Sequence, residues 1–90
     1  MPTWRTEVKP TAEKRYLKLV KAMRLRIRKA LQGLVETEDP LHHPQVRALT
    51  GELSGDYRLQ VGEWRVLFTP FREKRLIVVY AILPRGEAFR

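Results

Sequence analysis

Two arginines and an amide are spaced so that together they could grip an anion: Arg58 and Gln60 precede the dipeptide Gly62-Glu63, and Arg65 follows it. The stretch Gly55-Asp56-Tyr57-Arg58-Leu59-Gln60-Val61-Gly62-Glu63-Trp64-Arg65-Val66-Leu67-Phe68 reads with a period of two. If Gly62-Glu63 is a two-residue loop, glycine first as a type II′ turn requires, Val61 pairs with Trp64 and Gln60 with Arg65. Leu59 then meets Val66, and Arg58 meets Leu67. Side chains alternate across a strand, so Tyr57, Leu59, Val61, Trp64, Val66 and Phe68 share a core face, and Arg58, Gln60 and Arg65 share the other. Like charges held together on a rigid ribbon cost stability unless an anion lies over them. A phosphate, whose paired oxygens match the guanidinium fork, is the expected ligand.

The elements that must position this ribbon follow from the flanking patterns. Trp4 to Val8 alternates weakly and stops at Lys9-Pro10, which predicts a short first strand. Thr11 is the expected helix cap, with Glu13 in the first turn where the helix dipole favours negative charge. Ala12, Tyr16, Leu19, Met23, Ile27, Ala30, Leu31 and Leu34 fall in steps of three and four, marking one helical face. That pattern fits one helix of about 24 residues or two helices folded back near Val20 to Ala22, with Gly33 a weak stop and Glu36 to Pro40 a clear one. Leu41 to Leu49 reads as a proline-bracketed connection, with a helical turn expected at Gln45 to Leu49. After the hairpin comes a turn around Pro70 to Lys74. A third strand through Leu76 to Ile82 is apolar on both faces and therefore belongs in the sheet interior; Pro84 ends it. The expected architecture is α+β: an N-terminal strand, a helical region, then a three-strand antiparallel meander, forming a twisted sheet with helices on one face. The other face, carrying Arg58, Gln60 and Arg65, is expected to stay open.

Ninety residues make one domain, 1–90, with no repeat and no internal boundary. With 43% hydrophobic and 31% charged residues the chain is globular rather than disordered. A net charge of +8 predicts affinity for polyanions and salt-sensitive association with nucleic acid or an acidic protein. The absence of cysteine excludes disulfides and thiolate metal sites. No apolar run has the ~20 residues of a membrane span and the N-terminus is not a signal peptide, so a cytoplasmic protein without membrane contact is expected. Residues 1–35 carry ten Lys or Arg against Glu7 and Glu13 alone, so the run containing Lys14, Arg15, Lys18, Lys21, Arg24, Arg26, Arg28 and Lys29 is either a surface for polyanion phosphates, which the charge imbalance favours, or a solvated helix face. His42 and His43 project apart in a loop, and no ligand set has metal spacing; no metal is expected. Tyr57 and Trp64 lie on the apolar parity and read as core, while Trp4 could staple the first strand to a helix.

The motifs carry a resemblance. Leu49-Thr50-Gly51, followed by Gly55-Asp56-Tyr57-Arg58-Leu59 and Val61-Gly62-Glu63-Trp64-Arg65-Val66, resembles the hallmark run of the RelE/ParE toxin superfamily. The ending Pro84-Arg85-Gly86-Glu87-Ala88-Phe89-Arg90 resembles the family's tail, and the opening Glu7 to Lys14 and the segment Ile27 to Leu31 fit its first strand and helices. The resemblance covers essentially the whole chain, with the central motif its specific part. It implies a two-helix hairpin in the helical region. It also implies the toxin of a type II toxin–antitoxin pair: a RelE-like endonuclease that cuts mRNA on the ribosome, or alternatively a ParE-like inhibitor of DNA gyrase. A degenerate toxin that binds only its antitoxin is the third possibility. The implied partner is a cognate acidic antitoxin, and no small-molecule cofactor is implied.

By this resemblance Arg58, Arg65 and Arg85 take the catalytic cationic positions, and Gln60, Phe89, Arg90, Lys18 and Arg28 are candidate RNA contacts. Metal-free RNA cleavage needs a base for the 2′-hydroxyl, cations for the phosphorane and an acid for the leaving oxygen. Arginine supplies the cations but not the base, because its pKa stays above ~12. The chain departs from the family pattern at the proton-handling positions. The usual lysine is Gln60, the usual histidine is Pro84 and the usual terminal tyrosine is Phe89. Phe89 retains the ability to stack on a base.

Overall fold

The computed structural model describes residues 3–86. Five strands and two helices alternate with short 3₁₀ turns: β1 (Arg5–Val8), α1 (Pro10–Leu17), α2 (Lys21–Val35), β2 (Val46–Ala48), β3 (Tyr57–Val61), β4 (Trp64–Phe71) and β5 (Leu76–Pro84). They form one sheet in the order β1-β5-β4-β3-β2, in which β1 runs parallel to β5 and every other pair is antiparallel. The α+β architecture and the meander β3-β4-β5 match the expectation from sequence. β5 lies between β1 and β4, and the doubly apolar run Leu76 to Ile82 is what an interior strand requires.

One element differs. Gln45 to Leu49 is not a helical turn: Val46–Ala48 is an edge strand antiparallel to β3, with Arg47 opposite Arg58. Three residues are too few to display a period, and the pairing comes entirely from the neighbouring strand. The helix start also differs. Lys9 precedes α1 in extended conformation and Pro10 takes the first turn, so Thr11 lies inside the helix and caps nothing. A proline there has no amide to leave unsatisfied, and its fixed φ suits the helix. Gly33 does not stop α2, which runs on to Val35.

The helical region is a hairpin broken at Lys18 to Val20 without glycine or proline. A continuous helix of ~24 residues would be ~36 Å long, whereas the molecule extends at most 32 Å. Folding back lays both apolar stripes on the same sheet face. The reversal is pinned by the Tyr16 hydroxyl, which donates to the Arg24 carbonyl at 3.2 Å, and by Val20, which turns extended before α2.

The main core lies between the helices and the sheet. Ala12, Ile27 and Leu34 meet Leu59, Val61, Val66, Phe68, Ile77, Val79 and Ile82 there, and Tyr57 and Trp64 pack against it, as their parity requires. Trp4 is buried in the same core and its indole N–H donates to the Glu38 carbonyl at 3.3 Å, tying the start of the chain to the loop after α2. Phe68 is fully buried on central strand β4 and stacks on Tyr57 with ring centroids 6.1 Å apart. Phe68→Ala is expected to cost about 3–5 kcal/mol of unfolding free energy, a large part of the total for a small domain. Urea unfolding of the variant measures this, and a loss below about 1 kcal/mol would show that the layer does not depend on Phe68.

Candidate nucleic-acid interface

The β3–β4 hairpin has the register read from the sequence: Val61 opposite Trp64, Gln60 opposite Arg65, Leu59 opposite Val66 and Arg58 opposite Leu67. Gly62 has φ +61 and Glu63 stays at negative φ, the combination a type II′ turn needs. A side chain at the first turn position would be strained by that positive φ, and its Cβ, 3.0 Å from the Arg26 guanidinium, would also require Arg26 to shift.

Arg58, Gln60 and Arg65 consequently face away from the helices. Neither α helix contributes to the packing on this side, but the face is not fully open. Leu49 and Leu67 are buried there, with Leu53, Tyr80, Ala81 and Leu83 around them, so the segment after β2 covers part of the sheet. The arginines flank this second cluster. Arg58 is half-buried, Gln60 exposed, and Arg65 only 8% exposed. Arg65 is the one buried charged side chain among the described residues. Central β4 places it between Gln60 of β3 and Leu83 of β5, so its stem lies along the sheet. Its Nη1 donates only to the Trp64 carbonyl, at 3.3 Å.

Arg85 follows β5 immediately. Its backbone N–H donates to the Glu63 carbonyl at 2.7 Å, and its Nη1 lies 3.9 Å from Glu63 Oε1. This holds Arg85 beside the hairpin turn, exposed. Burial, then Arg58, then Arg85 lower the Arg65 pKa, and Glu63 opposes them weakly. The guanidinium remains charged, so its lowered pKa reports a cation disfavoured by its surroundings. Among the described residues Arg58 and Arg65 have no carboxylate within ion-pair distance; the Lys/Arg ion pair found is Arg85 with Glu63.

The other candidates are placed elsewhere. Lys18 is exposed at the end of α1 beside a hollow lined by Arg15, Leu19, Met23 and Trp64, and the Arg15 guanidinium lies 5.2 Å from the Trp64 ring centre. Arg28 is exposed on α2 at the rim of an apolar groove of about 320 Å³ lined by Tyr16, Leu31, Val35, Val8, Val79 and Ile82. Both lie on the helix side and do not join the arginines of the opposite face. Phe89 and Arg90 lie outside the described residues. Pro84 pairs with Trp64 on the helix-facing side, so that position does not share a face with Arg65.

Two features escaped the sequence. Arg47 stands directly opposite Arg58, because the strand carrying it was too short to recognise. Asp56 anchors a polar network: Thr69 Oγ1 donates to its Oδ1 and the Tyr80 hydroxyl to its Oδ2, both at 2.9 Å. A register shift between Leu67 and Phe68 accompanies the placement of Tyr80 beside this carboxylate. Burial first, then the hydrogen bond to Asp56 and its negative charge, push the Tyr80 phenol well above its usual range, so it acts as a fixed donor rather than a proton carrier. Among the described residues no cluster of three His, Cys, Asp or Glu could hold a metal ion.

No protein-family model and no curated protein matches the sequence. Solved structures do match the fold. The archaeal RelE–RelB complex from Pyrococcus horikoshii OT3 is similar over 94% of this chain and 98% of that one, with a TM-score of 0.77 and 26% identity. The toxin–antitoxin complex RelBE2 from Mycobacterium tuberculosis is similar over 97% of each chain, with a TM-score of 0.81 and 22% identity. A YoeB/ParE toxin from Agrobacterium tumefaciens is similar over 90% of this chain and 98% of that one, with a TM-score of 0.75 and 13% identity.

The Tyr80–Asp56 bond gives the site a pH signature. A phenol whose folded pKa exceeds its unfolded value of ~10 contributes fully below that pH and loses its contribution as pH rises through the folded value. Stability to urea is therefore expected to fall as pH climbs above ~10, and Tyr80→Phe should flatten that part of the profile. At neutral pH the same variant should lose about 1–2 kcal/mol, the bond to a carboxylate being gone. An unchanged alkaline slope in Tyr80→Phe would dismiss the network.

Proposed function

From the premise that this chain belongs to the RelE-like toxin superfamily, we propose that it is the toxin of a type II toxin–antitoxin pair, acting on ribosome-bound mRNA through the arginines of its sheet. The observation that carries this reading is Arg65: a buried cation, flanked by Arg58 and Arg85, with no carboxylate partner among the described residues. A protein keeps such an arrangement at a cost in stability, and a phosphodiester offsets it by accepting forked hydrogen bonds. Those same bonds strengthen as charge builds on the non-bridging oxygens of a phosphorane, which is transition-state stabilisation without proton transfer. Gln60, opposite Arg65, contributes hydrogen bonds and no proton. Phe89 supplies stacking and Arg90 a further cation for the RNA, and Lys18 and Arg28 contact more distant RNA phosphates from the helix side.

The cytoplasm is the compartment this reading requires. Among the described residues no helix is long and apolar enough to cross a membrane. The cognate antitoxin is a natural partner for a chain of charge +8. The groove between Tyr16, Leu31, Val35 and Val79, rimmed by Arg28, suits an amphipathic acidic segment. A second reading, inhibition of DNA gyrase by binding alone, draws on the amide at position 60 and the proline at 84, which leave proton transfer without its usual groups.

Two substitutions separate these readings. Arg65→Ala is expected to abolish growth arrest on induced expression, together with transcript cleavage seen by primer extension. Unchanged toxicity would move the working surface away from the sheet, and arrest with relaxed plasmid DNA and intact transcripts would favour gyrase. Phe89→Tyr is expected to raise cleavage of ribosome-bound mRNA, by up to the ~10²–10⁴-fold that a positioned general acid supplies. No gain would mean that the tail does not deliver a proton.

A further inference from the structure

We propose that Arg47 extends the arginine face into a track for a single-stranded polynucleotide, holding a backbone phosphate beyond the one gripped at Arg65. The proposal deepens the RNA-directed reading and rests on it. Arg47 lies on β2 directly across from Arg58. On either side of this pair the Gln60 N–H donates to the Gln45 carbonyl and the Leu49 N–H to the Asp56 carbonyl, both at 2.9 Å. Hydrogen-bonded pairs recur every second residue, so Arg47 and Arg58 form one too, with Cα atoms ~5.5 Å apart and side chains on the same face. Two arginines directly opposite each other destabilise a sheet. Neither has a carboxylate within ion-pair distance among the described residues.

The Arg47 guanidinium is oriented without being used up. Its Nη1 donates to the carbonyls of Pro44 at 2.9 Å and Val46 at 3.0 Å, while Nε and Nη2 have no partner among the described residues. Those two nitrogens form one edge of the fork, the edge that meets paired phosphate oxygens. Arg47, Arg58, Arg65 and Arg85 therefore step diagonally across β2, β3, β4 and the end of β5, with Arg65 two residues along from the Arg47–Arg58 pair and Arg85 two residues beyond Leu83, the partner of Arg65. Three inter-strand spacings give this diagonal a lateral extent of ~14 Å, several times the ~3.4 Å of helix axis that each phosphate of one duplex strand takes up. A row of that width spans more than one phosphate of a chain. Exposed Gln45 and Gln60, in line with Arg65 and next to the Arg47–Arg58 pair, offer hydrogen bonds to sugars and base edges, which favours a polynucleotide over an acidic peptide.

The test is the salt dependence of binding between the purified chain and a short fluorescein-labelled single-stranded RNA. Arg47→Gln should lower the slope of log K against log salt by about 0.7, the value of one phosphate contact on a single strand. Arg72→Gln, which removes the same charge from an exposed turn outside the row, should leave the slope unchanged. Thermal unfolding should show Arg47→Gln no less stable than the parent, because a like-charge pair is relieved; a merely structural Arg47 would lower it. A slope unaltered by Arg47→Gln, while Arg65→Ala reduces binding, overturns the track and leaves the RNA reading standing. Absence of salt-dependent RNA binding by the parent chain overturns both. If Arg47→Gln weakens binding to polyglutamate but not to RNA, the residue belongs to a protein interface and the proposal fails.

Discussion

The register of the β3–β4 hairpin is the constraint from which the other features follow. Gly62 occupies positive φ at the first position of a two-residue turn, and the strands on either side pair in the register that this turn sets. A slip by one residue would send Leu59, Val61, Val66 and Phe68 to the outer face and bury Arg58 and Gln60 under the helices. Burial of the four apolar side chains and exposure of the cations are thus one choice. The hydrophobic effect that builds the core also fixes where the positive charge appears.

The electrostatics of the outer face is a consequence of that coupling. Arg65 sits on a central strand with its stem packed, and a neighbouring strand places Arg58 within repulsive range. Arg85 arrives from the end of β5 and is tied to the turn through the Glu63 backbone and carboxylate. The second apolar cluster, Leu49 and Leu67 with their neighbours, stiffens the same face, and the carboxylate of Asp56 holds Thr69 and Tyr80 beside it. At Arg65, where burial keeps water away, each interaction a bound anion makes is strengthened. The same burial also makes the unliganded face costly, which is the energetic logic of a preorganised site.

The helices do different work. α1 and α2 cover the opposite face, and their cations reach around the turn: Arg26 against Gly62, and Arg15 over Trp64. The apolar groove beside β1 and β5 lies on that side too, away from Arg65. The molecule thus presents two chemically distinct surfaces, one cationic on the sheet and one apolar with a cationic rim at the helices.

Local periodicity was sufficient for the hairpin, the interior third strand and the apolar stripe of the helices, because each of these signals repeats within the element that carries it. The residues Arg58, Gln60 and Arg65 were legible for the same reason: alternation alone assigns them to one face. Tertiary structure decided what no local pattern encodes. The helix breaks at Lys18 to Val20 because both stripes must reach one sheet within a 32 Å molecule, not because any residue there forbids a helix. Val46–Ala48 becomes a strand because β3 offers it an unpaired edge, and only that pairing brings Arg47 to Arg58. The burial of Arg65 and the Asp56–Tyr80 bond likewise join residues far apart in the chain, whose meeting depends on the packed sheet rather than on their own neighbours.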